Sequence, residues 1–203
     1  MALSPRPVGS NITRAFSQGL NEAPDLGSEF EPNDSYHLPA YTLSLKNLAN
    51  LSGQNIDDVV KQAAWQCVAE SENGDVVIGE VTTVHKAPRP AKQLFDGPVR
   101  MTSLSHGDVI NSVYKRTKVL HSQHASGLQD DYEPRMLRIP GLLVTTIWLK
   151  SKTGGKDLVV PLHTKLPALT KEKEKEKEVY AMDEFLTAAR EAAQERLKSE
   201  IYD

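Results

Sequence analysis

His121 and His124 stand three residues apart and are followed by Asp130, Asp131 and Glu133. Imidazoles at i and i+3 share one face of a helix, and a carboxylate from the following loop completes the donors of a facultative zinc or manganese site. The more specific His-Glu-x-x-His pattern is absent, and histidines in the last turn of a helix also serve the negative end of its dipole. His121 and His124 are thus the metal candidates of the chain. Ser103, Ser105, His106 and Asp108 have the residue types of a hydrolase triad. They are crowded into one short stretch, whereas a triad converges from separate elements. Ser105 and Asp108 instead have the spacing of a helix capping box. Thr153-Gly154-Gly155-Lys156 lacks the spacing of a phosphate loop and joins two expected strands, so it reads as a hairpin turn. With no nucleophile elbow and no dinucleotide fingerprint, the sequence points away from an enzyme and calls for no cofactor or small molecule.

The stronger chemical signal is charge. Residues 1–83 hold 4 Lys or Arg against 11 Asp or Glu, residues 84–165 hold 13 against 6, and residues 166–203 hold 7 against 10. The balance therefore runs −7, +7 and −3, which gives the net −3 of the whole chain. A clustered positive surface attracts acidic protein or a phosphate backbone. Its expected components are Lys86, Arg89, Lys92 and Arg100 on a proline-rich loop, Lys115, Arg116 and Lys118 on a helix face, and Lys150, Lys152 and Lys156 around a hairpin. Aromatic residues make up only 6% and are not interleaved with these bases, so platforms for stacking nucleobases are scarce. The plain reading is a face that is solvated or neutralised within the chain; of the binding readings, an acidic protein partner fits better than nucleic acid, which is the alternative.

These groups must be positioned by a core. The apolar fraction of 39% fits a folded centre diluted by polar ends. The single cysteine, Cys67, rules out an internal disulfide and suits a reducing, cytoplasmic setting. The longest apolar run, 142–149, falls short of the about 20 residues needed to span a bilayer. Residues 1–37, with scattered prolines, glycines and acids, read as a flexible arm anchored only by Ile12, Phe16, Leu20, Leu26 and Phe30.

A core module over 38–169 follows. A short helix capped by Thr42 or Ser44 runs through Leu45, Leu48 and Leu51. Asn55 caps a second helix, in which Ile56, Val59, Val60, Ala63, Ala64, Cys67 and Val68 recur at helical spacing. After the Asn73-Gly74 turn, residues 75–84 read as a strand, and Gly79 within it marks a bulge or a close backbone approach. A third helix is expected over 109–120, then a strand over 135–139 and a hairpin of 142–150 with 157–162. Pro161 suits an edge. Two or three helices with about four mainly antiparallel strands, not in regular alternation, make the class α+β.

A Lys/Glu spacer over 170–178 leads to an amphipathic helix over 179–203, striped by Met182, Phe185, Leu186, Ala189, Ala193, Leu197 and Ile201. Such a helix is marginal in water unless its face docks, either on its own sheet or, as the charged spacer suggests, on another chain. The functional expectation is a non-enzymatic adaptor that binds an acidic partner, or a second copy, through the basic residues and through Met182, Phe185, Leu186 and Leu197. A nucleic-acid-binding protein using 84–165 and a metal-dependent hydrolase are the alternatives.

Overall fold

The computed structural model describes residues 7–23, 30, 36–83, 98–106, 131–163, 166 and 179–199. The chain is α+β: eight strands form a mixed, mostly antiparallel open sheet, with three α-helices among the described residues. In chain order the elements are α1 (Ser10–Asn21), β1 (Tyr36–Thr42), α2 (Leu45–Ala49), β2 (Lys61–Glu70), β3 (Val76–Thr83), β4 (Val99–His106), β5 (Tyr132–Ile139), β6 (Val144–Ser151), β7 (Leu158–His163), β8 (Tyr180–Ala181) and α3 (Met182–Ser199). Strand order is β4-β3-β2-β1-β5-β6-β7-β8. The eight strands exceed the four or so expected because residues 36–42, 61–70, 99–106 and 180–181 are extended as well.

The principal correction concerns 56–68. The Asn55 cap forms, its Oδ1 accepting from the Asp57 amide at 3.1 Å, but the helix stops after one 3-10 turn, Ile56–Asp58. Lys61–Glu70 then runs as β2, in which every residue from Ala64 to Ala69 is buried. An interior strand covered on both faces reads as a continuous apolar run, and such a run also satisfies a 3.6-residue template. Tertiary burial outweighed the helical preference of its alanines.

Two compact units divide the chain: Met1–Ala40 with Ala63–Gln129, and Tyr41–Gln62 with Asp130–Asp203. In the first, α1 buries Ile12, Phe16 and Leu20 against Trp65, Cys67, Ala69, Val77 and Val81. Residues 10–21, read from the sequence as part of a flexible arm, are therefore helical and packed. Gly79 is what lets α1 approach: a Cβ there would lie 2.5 Å from Phe16 Cε2. Gly79 therefore marks a close approach, one of the two readings offered for it, while the bulge lies on the neighbouring strand, where the β3–β4 register shifts between Glu80 and Val81.

In the second unit, Ser44 caps α2 as expected, its Oγ accepting from the Asn47 amide at 3.2 Å. The β5–β6–β7 meander has the anticipated order, with the turn glycine Gly154 at φ +83°. Pro161 lies on β7, whose Leu158 and Val159 pair with the two-residue β8. The α3 helix buries Met182, Phe185, Ala189 and Ala193 in a core shared with Leu48, Leu137, Ile139, Val144 and Trp148. Two side chains fasten it further: Arg190 donates to the Leu51 carbonyl at 3.1 Å and Gln194 to the Ala49 carbonyl at 3.1 Å. No helix among the described residues is long and apolar enough to cross a membrane.

Candidate protein interface

The sequence candidates fall into three groups. Arg89, Lys92, Lys115, Arg116, Lys118, His121 and His124 lie outside the described residues, as does the helix expected over 109–120. Met182 and Phe185 are buried in their own unit, while Leu186 and Leu197 are half-buried. The docking that α3 requires is thus met within its own chain, so Met182 and Phe185 present no face to a partner. Ser105, expected to cap a helix, and Ser103, set aside as a triad residue, stand exposed on β4.

The hairpin lysines separate as well. Lys150 Nζ lies 2.7 Å from Asp57 Oδ2 and 3.1 Å from Asp157 Oδ2, and Arg135 lies 2.8 Å from both Asp57 Oδ1 and Glu133 Oε1. Strand register explains the grouping. Arg135 is directly opposite Trp148 and Glu133 is opposite Lys150, so all four share one face of the β5–β6 pair. Trp148 forms the floor: the Arg135 guanidinium stands 4.7 Å and Lys150 Nζ 5.6 Å from its ring centroid, and Tyr41 meets it edge-on at 5.8 Å. Asp157 closes the cluster, accepting from Trp148 Nε1 at 2.9 Å and from the Ser151 amide at 2.9 Å.

Burial alone would lower the pKa of both cations. The hydrogen bonds and charges of Asp57 and Asp157 outweigh it for Lys150, and Tyr41, Glu133 and Asp57 do so for Arg135, so both are held above their ordinary values. Each cation is bracketed by two carboxylates. The cluster therefore clamps the hairpin and the 55–58 turn together rather than offering charge to an incoming ion, and it removes Lys150 from the basic residues expected to bind a partner. Cys67 is equally inert: burial pushes its thiol up to about 12. No group of three or more metal-ligating side chains occurs among the described residues.

The first unit presents a different surface. Among the described residues β4 is paired only with β3, and at eight residues without a proline it is a long open edge. The other end of the strand order is the short β8, beside the proline-bearing β7. Leu104 stands opposite Gly79, Met101 opposite Val81 and Val99 opposite Thr83. The bulge, with Thr102 as its extra residue, puts all three apolar side chains on the face that α1 covers.

A groove of about 330 Å³ runs there, walled by Val99, Met101 and Leu104 on the strand and by Gln18, Gly19 and Glu22 of α1. Gly19 lets the helix pass closely, because a Cβ at that position would run into the Met101 side chain. Gln18 donates to Glu22 Oε1 at 2.8 Å, which fixes the polar wall. Sequence reading missed this site. The period-2 signal over 99–106 is broken by the bulge, and the serines drew attention as caps. No protein family, curated protein or solved structure matches the chain.

Proposed function

We propose that this chain is a non-enzymatic, protein-binding module that takes up an extended polypeptide by strand addition at β4. The observation that carries the reading is the coincidence of an eight-residue, proline-free edge with a groove along the same strand, whose strand wall carries the apolar side chains of Val99, Met101 and Leu104. Main-chain groups on an open edge supply affinity without regard to sequence, and pockets for alternate side chains supply selectivity. Half-buried Val99, Met101 and Leu104 offer such pockets, and the Gln18–Glu22 pair marks the polar rim. The adaptor role expected from the sequence is kept, while the surface moves from the C-terminal helix to the edge strand.

Selection of random peptides displayed against the immobilised full chain tests the reading. The expected binders are extended, with apolar side chains at alternate positions, and they lose binding when Leu104→Lys places a charge in the groove. Recovery of no binder by a chain that is monomeric, or of binders indifferent to both Leu104→Lys and Gln18→Trp, sinks the proposal.

A further inference from the structure

We infer that the occupant of the β4 edge is a second copy of this chain, paired antiparallel about a two-fold axis with Met101 of each copy opposite Leu104 of the other. The inference rests on the strand-addition reading and names its partner.

Three features of β4 lead to it. The first is self-complementarity of faces. A two-fold pair with Met101 opposite Leu104 also sets Val99 opposite His106, Arg100 opposite Ser105 and Thr102 opposite Ser103. In a regular strand Met101 and Leu104, an odd number of residues apart, would lie on opposite faces. The bulge at Thr102 corrects the parity, because Met101 and Leu104 both face α1 through their partners Val81 and Gly79. Residues directly opposite in an antiparallel pair share a face. The apolar strip of one copy thus continues into that of the other.

The second feature is charge. Strand β4 holds no acid, and Arg100 is the cation whose repulsion a self-pair must avoid. In this register each Arg100 meets a serine, so no like charges stand opposed. The third is the groove itself. The half-buried side chains of Val99, Met101 and Leu104 extend the packed cluster of the first unit to the strand edge. A neighbouring copy would add Met101 and Leu104 at the matching height. A bulge and an edge cation blunt indiscriminate strand pairing, and here they leave one register in which neither opposes association.

An interface made from one strand and its flanking helix falls toward the low end of the about 1,200–2,000 Å² of stable complexes. The expected state is a concentration-dependent, micromolar dimer. The test is solution mass by light scattering on the full chain and on Met101→Lys and Leu104→Glu, with thermal unfolding to establish that each variant folds. The unmodified chain should dimerise, and each variant alone should be weakened by about a hundredfold, the scale of an unpaired charge in an apolar contact. An equimolar mixture of the two variants should restore a dimer, because the register then pairs the new lysine with the new glutamate.

A chain that stays monomeric at its highest soluble concentration overturns the inference, as does a dimer that both folded variants leave intact. Folded monomeric variants that fail to pair when mixed overturn the register. Should either variant misfold, the exposed Ser105→Arg, which sets a cation against Arg100 of the other copy in this register, takes its place, and a dimer it leaves intact overturns the inference. If displayed peptides bind β4 while the chain stays monomeric, the second-copy inference falls and the strand-addition reading stands; if neither binds, both fall.

Discussion

Phe16 of α1 lies directly on Gly79 of β3, so close that a Cβ on the glycine would sit 2.5 Å from the ring. The contact sets the height of the helix over the sheet and, with Gly19 against Met101, the width of the groove beside β4. Gly79→Ala should therefore cost about 1–3 kcal/mol, the scale of overpacking a close contact. Denaturant unfolding measures it, and Phe16→Leu in the same chain should recover part of the loss. Additive effects of the two changes would show that the contact does not set the helix position.

Asp157 holds three donors at once: the Trp148 indole, the Lys150 ammonium and the Ser151 amide. Asp157→Ala should destabilise the fold by about 2–4 kcal/mol, because a buried indole N–H and an amide lose their acceptor. The near-ultraviolet dichroism of Trp148 should change with it. A loss below half a kcal/mol would place the network among surface pairs of little worth.

The raised pKa of Lys150 has a definite sign in pH dependence. Below the ordinary lysine value of 10.5 both folded and unfolded chains are protonated, and the pairing with Asp57 and Asp157 contributes in full. As pH climbs past 10.5 the unfolded chain releases its proton first, so the contribution declines until the folded value is passed. The denaturation midpoint of the natural chain should fall more steeply above that pH than the midpoint of Lys150→Met. Parallel curves would remove Lys150 from the clamp.

Because burial holds the Cys67 thiol near 12, little thiolate exists at neutral pH and no reagent reaches it in the native state. Disulfide-exchange labelling should be on the order of a thousandfold slower than in the denatured chain, with its rate tracking global unfolding. Labelling at the rate of a free thiol would mean that β2 opens locally.

Leu143, in the turn between β5 and β6, has φ +53° and is 63% exposed. A leucine in the left-handed region pays about 1–2 kcal/mol in backbone strain, which asparagine or glycine largely avoids. Leu143→Asn should raise stability by up to about 1 kcal/mol, read from the denaturant midpoint. A decrease would show that the side chain makes a stabilising contact that outweighs the strain.

Where local chemistry decides structure, the sequence alone determined it. Ser44 and Asn55 cap as their side chains dictate, and Gly74 and Gly154 take the positive φ that only glycine adopts cheaply. The 135–162 meander follows from β-branched runs bounded by turn residues, and the C-terminal helix from its apolar stripe. The class α+β was legible from these elements together.

Tertiary structure decided what depends on neighbours distant in sequence. Residues 61–70 became a strand because they lie between β1 and β3, where the burial of residues 64–69 on both faces erases the alternation that marks a strand in sequence. Whether α3 docked at home or abroad was open until a core of Leu48, Leu137, Ile139 and Trp148 was in place to receive it. The clamp joins Asp57 to Arg135 across 78 residues, and the groove joins α1 to a strand some eighty residues later, through a bulge. No local pattern encodes such distances. The chemistry of each residue was written in the sequence; which residues meet was fixed only when burying the apolar surface chose one sheet register over the others.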